Sequence, residues 1–332
     1  MKNKNKIAVV YSHHKLGDLL WQLPYIKAIS DNYNLPVTLV ARSKTQAKEI
    51  LKDLDYINDF FYCEFRKKIW YFFEIFYLYK FFKKEKFTHI FLLDKISRPA
   101  IAAKLAGIKN IIGHGIKNQK KWLTNQKFLN DKDYFDLDYS EQSKKFLEIN
   151  GINVSNTVPY LKVKKETLNS IEPNVDISKK TVSFGVDSFE NYKMWFEEYF
   201  AELADLLTEN NYADQIFLIA SKNNEDLVKR IINLSKKSNL FSCSNLNLLG
   251  IVKVISSSNF YVGNNSGPLN LASALNIKCF GLIANDRVSE LKNSNIIPIL
   301  PDDYVNTYFR DREGMRRLTV KKVFDFIESK LN

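Results

Sequence analysis

With 332 residues, 45% of them hydrophobic, the chain is long enough for two domains that each bury a core, and its composition excludes a disordered protein. Forty-nine lysines and arginines against 37 acids leave a net charge of +12, which suits an anionic partner. Lys, Asn, Ile, Phe and Tyr are abundant together, as biased base composition produces, and no reader motif accompanies the charge, so nucleic acid is not expected as a partner. No apolar run approaches the roughly 18 residues of a membrane span, and the basic N-terminus precedes too few apolar residues for a signal peptide. Cys63, Cys243 and Cys279 are scattered without ligand spacing and read as buried, reduced thiols, so a cytoplasmic location is expected.

Strand-like runs at 7–11, 37–41, 59–62, 89–93 and 110–112 alternate with helical patterns at 18–30, 43–51, 67–84 and 98–107. A helix over 138–150 stops at Gly151, and the polar stretch containing Pro159 and Pro173 reads as a connection between domains. The alternation then restarts, with strands at 181–186, 215–220, 260–263, 278–283 and 296–300 and helices at 196–208, 225–236, 247–257 and 268–276. We expect an α/β protein of two Rossmann-like, doubly wound parallel-sheet domains, 1–160 and 161–332, facing a central cleft and binding ligands beyond the carboxyl ends of the strands.

Two turns that hand a strand over to a helix carry the chemistry. Leu16-Gly17-Asp18-Leu19-Leu20 places a carboxylate, Asp18, at the mouth of the first domain. Asn265-Ser266-Gly267-Pro268 starts a helix at a small, polar step, where unpaired N–H groups and the positive end of the helix dipole can hold a phosphate. A base in one half and an anion cradle in the other is the layout of a transferase. No cluster of Asp, Glu or His has metal-ligand spacing, so no metal is expected.

The chain resembles glycosyltransferase family 9, the lipopolysaccharide heptosyltransferase family, through four motifs in register. They are Gly17-Asp18-Leu19-Leu20 with Pro24; Leu105-Ala106-Gly107 before Ile112-Gly113-His114; Lys193-Met194-Trp195-Phe196, with Phe where the family has Pro; and Ser266-Gly267-Pro268 running to Leu275. The resemblance implies the GT-B fold, an acceptor-side first domain and a nucleotide-sugar-binding second domain. It implies inverting, metal-independent transfer of a sugar from a nucleotide-diphosphate donor to a hydroxyl of a cell-envelope glycan or glycolipid. Asp18 becomes the base that takes the acceptor proton, with helix capping as its plainer alternative. His13, His14 and Lys15, on the same loop beside Gly17, become candidate contacts for an anionic acceptor, or equally solvent-facing loop residues. Lys193, Asn265, Ser266, Gly267, Pro268 and Asn270 become donor contacts, while Trp195 reads as packing. The family usually has Asp at the position of Asn265 and often His at that of Asn270, so the donor sugar is expected to differ and heptose does not follow. Two other readings are a catalytically silent nucleotide-sugar-binding protein on the same scaffold and a nucleotide-sugar epimerase.

The segment 66–84 is apolar and aromatic on nearly every face, with basic clusters at both ends. It reads equally as a buried core helix or as a helix seated at an anionic membrane surface, which would make the protein peripheral on the inner face of the cytoplasmic membrane.

Overall fold

Ile7-Ala8-Val9-Val10 offers no polar face, so it can only be satisfied inside a sheet covered on both sides. In the computed structural model, which describes residues 5–307 and 311–332, this run is the central strand of the first of two compact units, Met1–Val163 and Lys164–Asn332. The first unit is built on a five-stranded sheet of β1 (Ile7–Val10), β2 (Val37–Ala41), β3 (Ile57–Tyr62), β4 (His89–Leu92) and β5 (Asn110–Gly113), in the order β3-β2-β1-β4-β5. All pairings are parallel, with Val9 opposite Leu39 on one side and Phe91 on the other. Strand order reverses at β1, so the crevice at its carboxyl end is where a ligand site belongs.

The helices of this unit are α1 (Leu16–Leu20), α2 (Leu23–Tyr33), α3 (Ala47–Leu51), α4 (Trp70–Glu85), α5 (Arg98–Leu105), α6 (Asp131–Asp136) and α7 (Tyr139–Ile149). The single helix expected over 18–30 is two, α1 and α2, broken at Trp21 and Gln22. Pro24 is the cause, because its ring cannot follow a continuous helical turn yet is tolerated at the start of a new one. The Leu105-Ala106-Gly107 motif is a helix stop: Gly107 takes φ +78 after α5, a conformation glycine alone adopts freely. His114, directly after β5, is buried with its ring against Phe146 and Tyr134 (centroids 4.6 and 5.7 Å).

The second unit holds a six-stranded parallel sheet of β6 (Thr181–Gly185), β7 (Gln215–Ile219), β8 (Leu240–Ser242), β9 (Phe260–Asn264), β10 (Cys279–Leu282) and β11 (Ile296–Ile299), ordered β11-β10-β9-β6-β7-β8. Its helices are α8 (Lys165–Asn169), α9 (Glu197–Glu209), α10 (Glu225–Leu234), α11 (Leu248–Ser256), α12 (Gly267–Ala274), α13 (Glu313–Arg316) and α14 (Val320–Leu331). Strand β8 was not expected, having three residues of which only Leu240 is buried, too few to show a period. Nor was α14, whose Val320, Val323 and Ile327 join the core beneath α9. The order reverses here between β6 and β9, again defining a crevice. The three cysteines are free and buried, and burial pushes each thiol up to about 12.

Candidate functional site

In the first unit, the loop after β1 is tied down on several sides. The Ser12 N–H donates to the buried Asp94 carboxylate at the end of β4 (2.6 Å), which also accepts from the Ile96 N–H (3.0 Å). Arg42, just past β2, donates through Nε to the Ser12 carbonyl. The His13 ring stacks on Tyr11 (centroids 4.8 Å, interplanar 11°) and meets Tyr139 edge-on (4.7 Å). His13 Nδ1 in turn lies 3.4 Å from Asp18 Oδ2. Asp18 is therefore presented in the first turn of α1, where the helix dipole favours its charge, from a loop with little freedom to move.

Asp18 is not the N-cap of α1, which is Lys15, and makes no side-chain capping bond; of the capping alternative only its favourable first-turn place remains. Gly17 is buried within the same turn, while His14 and Lys15 are exposed. The His14 pKa is lowered by partial desolvation and then by the positive charges of Arg42 and Lys44, the mark of an electropositive rim around the carboxylate. Tyr11, Asp94 and Arg42 are parts of this arrangement that motif reading missed; Asp94 stands directly beyond a strand's carboxyl end, which was the available signal.

In the second unit, β9 delivers Asn264, Asn265 and Ser266 to the start of α12. Asn264 is structural: it donates to the Val186 carbonyl (2.9 Å) and accepts from the Trp195 N–H (2.8 Å), locking the loop after β6 to the end of β9. Trp195 is fully buried and donates through Nε1 to the Leu318 carbonyl (2.8 Å), so it packs rather than stacking on a ligand. The same loop carries Lys193 to Asp286, with Nζ 3.0 Å from Asp286 Oδ1 and 3.2 Å from Glu190 Oε2. Asn265 donates to the other Asp286 oxygen (3.0 Å). Burial works against the charge on Lys193, but Asp286 and Glu190 more than offset it, and its pKa stands above the ordinary value.

Sequence reading missed Asp286, whose carboxyl is buried and held against both Asn265 and Lys193. Asp286, just past the end of β10, thus places a carboxylate directly beside the Asn265 amide. Position after a strand was again the only signal.

The start of α12 is open. Ser266 is the N-cap but its side chain makes no capping bond, and both Ser266 Oγ and Asn270 Oδ1 are buried without a hydrogen-bond partner among the described residues. Pro268 occupies the first turn, where its missing N–H costs nothing. Gly267 is exposed, and a Cβ added there would meet no atom within 4 Å. Chain packing therefore does not require glycine at this position. By contrast, Gly185 and Gly263, paired across β6 and β9, make room for the Tyr261 ring, whose hydroxyl lies 1.6 Å from where a Gly185 Cβ would stand. An open helix start with free N–H groups, an uncommitted hydroxyl, an uncommitted amide oxygen and a nearby lysine can hold an anionic, hydroxyl-rich ligand. Among the described residues, no three His, Cys, Asp or Glu side chains gather to hold a metal ion.

The family model for glycosyltransferase family 9 (heptosyltransferase) matches residues 75–298. The chain belongs to glycosyltransferase family 9. The match spans Lys193 and the start of α12, begins after the Asp18 loop, and does not favour the binding-protein or epimerase readings. Its fold is that of E. coli ADP-heptose LPS heptosyltransferase II (TM-score 0.77, 16% identity, 98% of each chain covered). It is also that of the E. coli heptosyltransferase WaaC solved with ADP (0.72, 16%, covering 98% of this chain and 99% of that one). A more distant likeness is to the iron-containing dodecameric glycosyltransferase TibC from enterotoxigenic E. coli (0.56, 13%, covering 99% of this chain and 77% of that one). No protein of curated function matches the sequence.

Proposed function

We propose that this glycosyltransferase moves a sugar, with inversion, from a nucleoside-diphosphate donor to a hydroxyl of a lipopolysaccharide-type glycan carried on lipid at the inner face of the cytoplasmic membrane. The observation that carries the reading is Asp18, a carboxylate that makes no side-chain capping bond and is set by His13 at the carboxyl end of the central strand. Asp18 takes the acceptor proton as the oxygen attacks the anomeric carbon, and the bond from that carbon to the diphosphate oxygen breaks, its electron pair leaving with the diphosphate. The first unit is the acceptor side, with Gly17 shaping the turn and His13, His14 and Lys15 meeting acceptor anions.

The second unit seats the donor. N–H groups at the start of α12 and the Ser266 hydroxyl receive the phosphates, Lys193 stabilises the growing negative charge, and the Asn270 amide oxygen accepts from a sugar hydroxyl. Fixed dipoles and a paired lysine supply the stabilisation that a metal supplies in other transferases, so transfer persists in excess chelator. ADP-heptose heads the donors to test because one structural neighbour is an ADP-heptose heptosyltransferase by name. Amides at 265 and 270 replace the family's usual residues, so other nucleoside-diphosphate sugars belong in the same panel.

The decisive experiment is Asp18→Asn. Transfer falls by at least about a hundredfold, the usual span for a general base, while ADP binding and melting temperature stay at wild-type values. Transfer by this variant within tenfold of wild type removes Asp18 from the role.

A further inference from the structure

Helix α4 has one face that the fold accounts for and one that it does not. Glu74, Leu78 and Phe82 point inward, and Glu74 pairs with the buried Arg98. The opposite face presents Ile69, Trp70, Phe72, Phe73, Phe76 and Tyr77 to solvent, with Phe72 and Phe73 72% and 59% exposed. These positions recur at helical spacing, so they form a stripe and not a scatter of single exposed residues. Lys67 and Lys68 stand at one end of the stripe, and Lys80, Lys83 and Lys84 at the other, all exposed. The two carboxylates of the segment are already engaged, Glu74 by Arg98 and Glu85 by Lys6.

We propose that this face of α4 docks the protein on an anionic lipid bilayer, aromatic side chains entering the interface and lysines meeting the headgroups. Charge decides the occupant. Two copies meeting face to face about a two-fold axis would set lysines against lysines at both ends of the stripe, whereas an anionic surface neutralises every one of them. Placement supports the same choice. The chain leaves β3 at its carboxyl end and enters α4 there, so Trp70 and Ile69 lie at the end of the sheet from which Asp18 is presented. The two places are linked: Arg98 donates to the carbonyls of Arg66 (2.5 Å) and Phe65 (3.2 Å), and Arg42 lies over the Phe65 ring (5.9 Å) while bonding Ser12. The inference deepens the reading of a lipid-borne acceptor and rests on it, since docking this face would hold the rim that carries Asp18 close to the headgroups.

The test is co-sedimentation of the full chain with vesicles of phosphatidylcholine alone or with one-third phosphatidylglycerol. The protein is expected to pellet with the anionic vesicles, to be released by salt, and to show a blue-shifted Trp70 emission that Trp70→Phe abolishes. Affinity is expected to drop at least about tenfold in both Phe72→Glu/Phe73→Glu and Lys83→Glu/Lys84→Glu. Melting temperature and the ADP-induced shift should remain unchanged in both, because these side chains are exposed and distant in sequence from the donor seat. Equal binding to neutral vesicles, or none to anionic ones, overturns the proposal. So does a concentration-dependent dimer that Phe72→Glu/Phe73→Glu abolishes. Because vesicle binding is read without transfer, failure here leaves the Asp18 experiment standing, and the reverse also holds.

Discussion

Replacing Gly267 by Ala separates a glycine kept for a ligand from one kept for the fold. The backbone at 267 is not left-handed, and the new methyl would meet no atom of the chain within 4 Å. In such a setting Gly→Ala restricts the unfolded chain and stabilises by about 0.4–1 kcal/mol, a rise of about 1–4 °C in melting temperature for a unit of this size. If a diphosphate sits on the first N–H groups of α12, the same methyl stands in its way. Loss of one charge-assisted hydrogen bond costs about 1.5–3 kcal/mol, which weakens binding about ten- to a hundredfold. Thermal unfolding with ADP at about a hundred times its dissociation constant reads both effects at once. The wild type gains about 2.7 kcal/mol from the ligand, and the variant only about 0.4–1.4 kcal/mol. Gly185→Ala is the contrasting control: its Cβ would fall 1.6 Å from the Tyr261 hydroxyl, so it destabilises with or without ADP. A Gly267→Ala protein that is at least as stable as wild type and binds ADP with undiminished affinity would refute the diphosphate seat.

Removing Arg98 by substitution with Met leaves the Glu74 carboxylate buried and unpaired, and chemical denaturation should show a loss of about 3–5 kcal/mol; replacing both residues with apolar ones of similar volume should recover most of it. His114 is buried and neutral, with its pKa lowered by desolvation from 6.5 to about 3. The unfolded chain therefore binds a proton that the folded chain refuses. Stability is full above pH 6.5 and falls toward pH 3 by up to about 1.4 kcal/mol per pH unit, and His114→Phe should flatten that slope in acid denaturation curves. Lys193 shows the opposite sign. Its pKa is raised, so its stabilisation is fully present below the ordinary value of 10.5 and fades as pH climbs beyond it. Donor affinity should accordingly not titrate through Lys193 between neutral pH and pH 9, while Lys193→Met should weaken ADP binding across that range.

Parallel strands covered on both faces must be continuous apolar runs, which is why β1, β2, β7 and β9 were legible without a structure. Strand β8 was not, because only one of its three residues is buried. The break between α1 and α2 was written in Pro24 but was overridden by the helical period on either side. Asp18 and Ser266-Gly267 stood out in the sequence because each follows a strand in a compact local motif. Asp286 and Asp94 were not, since their partners are brought to them from other strands. For 66–84, sequence reading allowed both a core helix and a surface helix. The chain uses both faces, with Glu74 drawn inward to Arg98 and the aromatic stripe turned out.

Local order was therefore fixed by the sequence alone: the alternation of buried strands and amphipathic helices, the two strand-to-helix turns, and the stop at Gly107, all set by interactions within a few residues. Tertiary structure decided what those pieces face. It brought Asp286 to Lys193 and Asn265, made Trp195 and Asn264 into packing, gave Asp18 no side-chain capping bond, and left one face of α4 uncovered. The physical reason is that a polar or charged side chain takes its partner from whatever the fold places within reach, and in a doubly wound sheet that neighbour comes from another strand's carboxyl end.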